Sequence, residues 1–296
     1  MNSQIAVGRL TALGAAACWG VITSFAQIVY QEGANPPSLT VLRFILLMLS
    51  MLLLVVVFRR PFRIKVSWKL MGLLTVSWYL ITAGHIGAVN YIPVSLAAVI
   101  FYTFPFMVLG YARFVQRKRV TLRELAGFVT AFAGLVVALG PVIADLDPVG
   151  VALAFLGAVA AATFLVAYER VPDNVGVITI SFWMALGCVV LSLAVALLGG
   201  NIPIPSTQRA WLALGAIAVF TATAFILNLM AVRRIGAATT SLLLNLEPVV
   251  IMCAAVLLVG EQLTIQQVIG IIVVVSGLIV SQWPEKTDKT AVLPVP

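Results

Sequence analysis

Charge is scarce in this chain. Only 9% of its 296 residues are Asp, Glu, Lys or Arg, while 62% are hydrophobic; soluble domains carry about 25% charged residues. A water-facing surface cannot be made from so few charges, which excludes a soluble globular domain and sends the excess apolar surface to lipid. Histidine occurs once, which excludes a zinc site built on paired Cys and His spacings. The three cysteines, Cys18, Cys188 and Cys253, lie inside apolar stretches, and an odd count of buried thiols excludes a disulfide framework. No phosphate-cradling Gly-rich loop is present, so a driving force would be a gradient rather than ATP. No cofactor and no metal are expected. The net charge of +8 would suit nucleic acid, but the basic residues sit in short clusters between apolar runs, which excludes that partner. The first apolar run is too long for a cleavable signal and lacks a clear small-residue cleavage site.

What the chain has is a series of long apolar runs separated by charge, Pro and Gly. A helix crossing needs roughly 20 apolar residues. The pattern predicts an all-α integral membrane protein with ten spans, at about 8–31, 37–58, 67–91, 93–114, 122–140, 148–169, 175–198, 208–232, 235–258 and 264–283. Lys and Arg favour the cytoplasmic side. Arg59, Arg60, Arg63, Lys65 and Lys69 follow span two; Arg113, Arg117, Lys118, Arg119 and Arg123 follow span four; Arg233 and Arg234 follow span eight. With ten spans all three clusters fall on one side, opposite Glu32, Asp145, Asp147, Glu261 and Arg209. Both termini are therefore expected in the cytoplasm, and the tail at 284–296 is expected to be disordered.

The two halves of the chain register at an offset of 143 residues. Leu13-Gly14 falls on Leu156-Gly157, Ile92 on Ile235 and Pro105 on Pro248; Thr121, Gly127, Gly134 and Leu135 fall on Thr264, Gly270, Gly277 and Leu278. This predicts two repeats, 1–142 and 143–283, of five helices each. Five is odd, so the second copy enters the membrane inverted. Inverted repeats are a transporter signature, because two similar halves can exchange conformations and give alternating access.

Further residues carry a family resemblance over residues 8 to 283. These are Trp19-Gly20, Leu42-Arg43-Phe44, Glu247-Pro248, Gly260-Glu261-Gln262-Leu263-Thr264, Gly270 and Gly277. The chain resembles the EamA-type transporters of the drug/metabolite transporter superfamily. It departs from them at Arg117-Lys118-Arg119, where a Gly-Glu pair is common, a change that the preference for positive charge at the cytoplasmic side explains. The resemblance implies transport of small metabolites, often amino-acid or amine efflux across a bacterial inner membrane.

In such transporters the site lies near the midplane, beside interrupted helices. Pro105 and Pro248 are repeat mates near the centres of spans, and each is expected to kink its helix as a hinge or cavity wall. Polar residues within spans are costly and so informative. Glu247 and His85 are candidates for substrate contact and proton coupling; a glutamate that only caps freed backbone and a histidine that only bridges helices are the bland alternatives. Asn245 is a further candidate, and Asn228, the repeat mate of His85, a weaker one. Arg43 is expected to snorkel to headgroups. Trp19, Trp78, Tyr79, Tyr102, Phe104 and Trp183 lie within spans, away from the interface belts, and suit an aromatic wall for an amphipathic ligand. The glycines Gly84, Gly87, Gly127, Gly134, Gly270 and Gly277 suit close helix packing.

The expected function is a secondary transporter, working as a monomer and exporting neutral, hydrophobic or aromatic amino acids across the inner membrane. A multidrug or quaternary-ammonium pump is the alternative. A membrane-embedded enzyme would need clustered acids, His or a nucleophile–base pair, and none is legible.

Overall fold

The computed structural model describes residues 2–118, 120–140, 147–199, 203–254, 256–257 and 262–282. The expected disordered tail at 284–296 and the acids Asp145 and Glu261 lie outside the described residues. Among those described, no strand occurs and helices run in the order α1 (Asn2–Gln31), α2 (Pro36–Val57), α3 (Trp68–Ala88), α4 (Val94–Phe101), α5 (Phe104–Phe114), α6 (Leu122–Leu139), α7 (Pro148–Tyr168), α8 (Val177–Gly199), α9 (Gln208–Leu243), α10 (Glu247–Ala254) and α11 (Ile265–Gln282).

The helices start where the sequence supplies caps. Asn35 and Ser38 form a reciprocal capping box at α2, with the Ser38 N–H donating to Asn35 Oδ1 at 2.8 Å. Thr121 and Glu124 do the same at α6. Asp147 caps α7 just before Pro148, whose fixed φ suits a first turn. Gly140 ends α6 in the left-handed conformation at φ 50°.

Among the described residues, eight helical stretches are long and apolar enough to cross a membrane. This differs from the ten separate spans expected. One stretch, Gln208–Ala254, has 47 residues and takes in span 208–232 and span 235–258 as far as Ala254. It breaks at Gly236, with φ 76° and ψ 167°, a conformation open essentially to glycine alone. α3, the helix Trp68–Ala88, is not among the eight. The apolar side chains that face outward, such as Ile265, Ile269 and Ile272 on α11, contrast with the buried Thr75, Ser77, Thr82, Thr240 and Ser241.

The most extensive helix contacts join α1 to α9, α6 to α11, α3 to α7 and α2 to α8. Every one of these pairs links the two halves. A shift of 143 residues carries α1 onto α7, α3 onto the first part of α9, α2 onto α8 and α6 onto α11, so the four contacts map onto one another or onto themselves. The glycines make the same point at atomic scale. A Cβ on Gly127 would lie 2.9 Å from the Gly277 carbonyl oxygen, and one on Gly134 would lie 2.9 Å from that of Gly270. Each glycine thus meets the mate of the other across an antiparallel α6–α11 seam, the close packing read from the sequence. Gly84 meets Gly157 similarly between α3 and α7.

The proline spans are not kinked continuous helices. α4 stops at Phe101, and α5 starts at Phe104 with Pro105 in its first turn. The second copy has the same break: Leu244–Leu246 form a 3-10 turn, and α10 starts at Glu247 with Pro248 in its first turn. Proline lacks an N–H, so a helix cannot run unbroken through it, but it tolerates a first turn. At the first break the Thr103 hydroxyl donates to the Ile100 carbonyl at 2.6 Å, supplying one of the missing partners.

Candidate functional site

The two helix breaks border a central cavity of about 530 Å³. α1 contributes Trp19 and Thr23, and α2 contributes Arg43. α3 contributes Trp78, Thr82 and His85, whose spacing of four and three residues puts them on one helix face. α7 adds Ala161, Phe164 and Leu165 with the same periodicity, and α9 adds Asn228. The breaks themselves supply Phe101, Tyr102 and Phe104 from the first copy, and Glu247 and Pro248 from the second. The mouth is marked by Val94 and Ser95 at the start of α4, Leu139 at the end of α6 and Gln267 near the start of α11.

Aromatic rings make most of the wall. Trp19 and Trp78 stand with centroids 5.4 Å apart, and Trp78 packs edge-on against Phe225 at 4.6 Å. His85 meets Phe101 edge-on at 5.1 Å. Gly20 explains the Trp19-Gly20 pair physically: a Cβ there would sit 2.9 Å from the Glu247 carbonyl oxygen, so glycine lets α10 approach while Trp19 turns to the cavity.

Two opposite charges share this wall. The Arg43 guanidinium lies 5.2 Å from the centre of the Trp19 ring, a cation–π contact. Glu247 stands on the same wall as Tyr102 and Arg43. Arg43 and Glu247 line the same cavity without forming a contact ion pair. Three more polar atoms, Trp78 Nε1, His85 Nδ1 and Asn228 Oδ1, are buried without a partner.

The structure thus brings together Trp19, Trp78, His85, Tyr102, Phe104, Glu247 and Pro248 of the residues picked from the sequence. It does not bring in the others. Trp183 is 38% exposed and donates its indole N–H to the Phe62 carbonyl at 2.8 Å, pinning the loop between α2 and α3. Tyr79 turns toward Phe44, with centroids 6.4 Å apart. Asn245 is buried in the 3-10 turn behind the wall, and Pro105 is buried in α5 without lining the cavity. Arg43 corrects the expectation of snorkelling: its face of α2 points to the bundle interior, not to headgroups. Thr23, Thr82 and Phe164 carried no sequence signal beyond falling in apolar runs. Among the described residues no group of three His, Cys, Asp or Glu is placed to hold a metal.

Comparisons with known proteins agree with this architecture. The profile of the EamA-like transporter family matches twice, over residues 6–140 and 148–282. The two matches start 142 residues apart (148 − 6), one residue from the offset read in the sequence. An uncharacterized transporter of Bacillus subtilis (strain 168), YcbK, is 23% identical over 283 residues, covering 90% of each chain. An uncharacterized transporter of Clostridium kluyveri is 23% identical over 207 residues, covering 67% of each. One solved crystal structure superposes with a TM-score of 0.79 at 21% identity, over 93% of this chain and 97% of its own, which shows a shared fold.

Proposed function

The chain belongs to the EamA-like transporter family, and from that premise we propose that it is a secondary transporter exporting neutral, hydrophobic or aromatic amino acids across the inner membrane by alternating access. In this reading the chain crosses ten times as two inverted five-helix repeats, 1–142 and 143–283. Both termini face the cytoplasm, and one copy is the working unit. α3 and the two parts of the Gln208–Ala254 run are counted as crossings, and the two repeats rock about the central cavity.

The observation that carries the substrate class is the pair Arg43 and Glu247 in one aromatic cavity. An ionised group inside a membrane protein is costly unless compensated. An amino acid is a zwitterion and supplies both compensating charges: its carboxylate to Arg43, its ammonium to Glu247 and Tyr102. Its side chain then lies against Trp19, Trp78 and Phe164. A volume of about 530 Å³ is within the roughly 300–1,000 Å³ of small-molecule pockets. An organic cation would satisfy Glu247 and the rings but would set a second positive charge beside Arg43, which disfavours the quaternary-ammonium reading. Glu247 is the proposed proton-coupling residue, with His85 second.

Counterflow into proteoliposomes preloaded with a panel of amino acids, amines and sugars tests the reading. Saturable exchange is expected for apolar amino acids. Exchange of amines or sugars alone would overturn it.

A further inference from the structure

At the end of the molecule away from the cavity mouth, one carboxylate holds three elements together. Glu169 follows the last residue of α7. Its Oε2 accepts from Gln116 Nε2 at 2.6 Å, its Oε1 accepts from the backbone N–H of Ala237 at 2.7 Å, and Lys118 Nζ lies 3.8 Å from the same Oε1. Gln116 and Lys118 belong to the connection between α5 and α6, in the first repeat. Ala237 follows the break at Gly236, in the second. The Glu169 side chain is 17% exposed, so these contacts are partly shielded from water.

The break serves this contact directly. A Cβ at position 236 would lie 3.1 Å from Glu169 Oε1, so only glycine gives both the backbone angle and the approach. Arg233, just before the break, lies over the Tyr168 ring at 5.4 Å and reinforces the α7–α9 seam beside it.

Latch and mouth sit at opposite ends of α6. This helix starts at Leu122, close to Lys118, and ends at Leu139 at the mouth. Eighteen residues span about 27 Å. None of Gln116, Lys118, Glu169 or Ala237 lines the cavity. The repeat does not reproduce the latch: the position 143 residues before Glu169 is Ala26, which has no carboxylate.

We propose that Glu169 is a positioning residue of the transport cycle, closing the Lys118 end while the cavity is open at the other, and releasing Gln116, Lys118 and Ala237 each time the cavity opens toward that end. The proposal rests on the alternating-access reading and is independent of which substrate is carried. Because the matching position is Ala26, the two ends close by different means.

The test places a single thiol at Leu165→Cys, which lines the cavity four residues before Glu169, with Cys18, Cys188 and Cys253 replaced by Ala. A membrane-impermeant maleimide is applied to each side of sealed vesicles. The parent protein should label from the mouth side. Loss of one charge-assisted hydrogen bond shifts a two-state equilibrium about tenfold or more, so Glu169→Ala should raise labelling from the Lys118 side by about tenfold and lower it from the mouth side. Glu169→Gln, which keeps two acceptor contacts on a single oxygen at best, should fall between. If Glu169→Ala does not fold, Gln116→Ala and Lys118→Ala replace it, each expected to raise Lys118-side labelling a few-fold. Unchanged sidedness in a folded variant overturns the latch. A rise on both sides alike, with a lower melting temperature, shows a merely structural role and also overturns it. If the parent labels equally from both sides, the alternating-access reading itself fails.

Discussion

Arg43, on α2 in the first half of the chain, and Glu247, the first residue of α10 in the second, line one cavity without forming a contact ion pair. A contact pair would neutralise itself. A separated pair leaves each charge to recognise a complementary one.

Glu247→Gln and Arg43→Gln should each lower amino-acid counterflow by at least about tenfold, since a charge-assisted hydrogen bond contributes about 1.5–3 kcal/mol. The double variant should transport worse than either single one, because each single change leaves the substrate half-compensated and the double change removes both compensating charges. A double variant no worse than the poorer single one would show that the two residues do not serve separate charges of the substrate.

The aromatic residues divide by position. Trp19→Ala or Trp78→Ala should shift preference among apolar substrates, as both rings face the cavity. Trp183→Ala should leave preference unchanged, because its ring holds the Phe62 carbonyl instead. Competition assays with a series of apolar amino acids check this; equal effects at positions 78 and 183 would contradict the cavity assignment.

The glycine seam should be intolerant of bulk. Gly134→Leu places a side chain where the Gly270 carbonyl and α11 backbone already sit. Overpacking costs about 1–3 kcal/mol, so the detergent-solubilised variant should melt several degrees below the parent. Gly72→Leu, where a Cβ meets nothing within 4 Å, is the control and should melt as the parent does.

Gly236→Ala should destabilise by about 1–3 kcal/mol through backbone strain at φ 76°. It should also weaken the Glu169 contact, so Lys118-side labelling of Leu165→Cys should rise with it. A stable variant with parent-like sidedness would show that the break is tolerant and the latch unaffected.

The repeat was legible because it rests on residues with backbone consequences. Pro105 and Pro248 force helix breaks, and Gly127, Gly134, Gly270 and Gly277 permit close contact whatever surrounds them. Which way a side chain faces was less legible. α2 is apolar all round, so no periodicity showed that Arg43 turns inward. α8 is likewise apolar on every face, and depth along the run could not show that Trp183 points to the α2–α3 loop. The span count blurred at Gly236 for a physical reason: a glycine break leaves two helices in one run. Glu169 gave no signal, since a carboxylate at a helix end is ordinary until its partners, 53 and 68 residues away, are in place.

The most direct measurement is competition for amino-acid counterflow by two analogues of the carried substrate, one lacking the carboxylate and one lacking the ammonium group. A cavity that reads both charges through Arg43 and Glu247 should bind each analogue at least about tenfold more weakly than the parent amino acid. An amine that competes as well as the amino acid would contradict the account and return the site to organic cations.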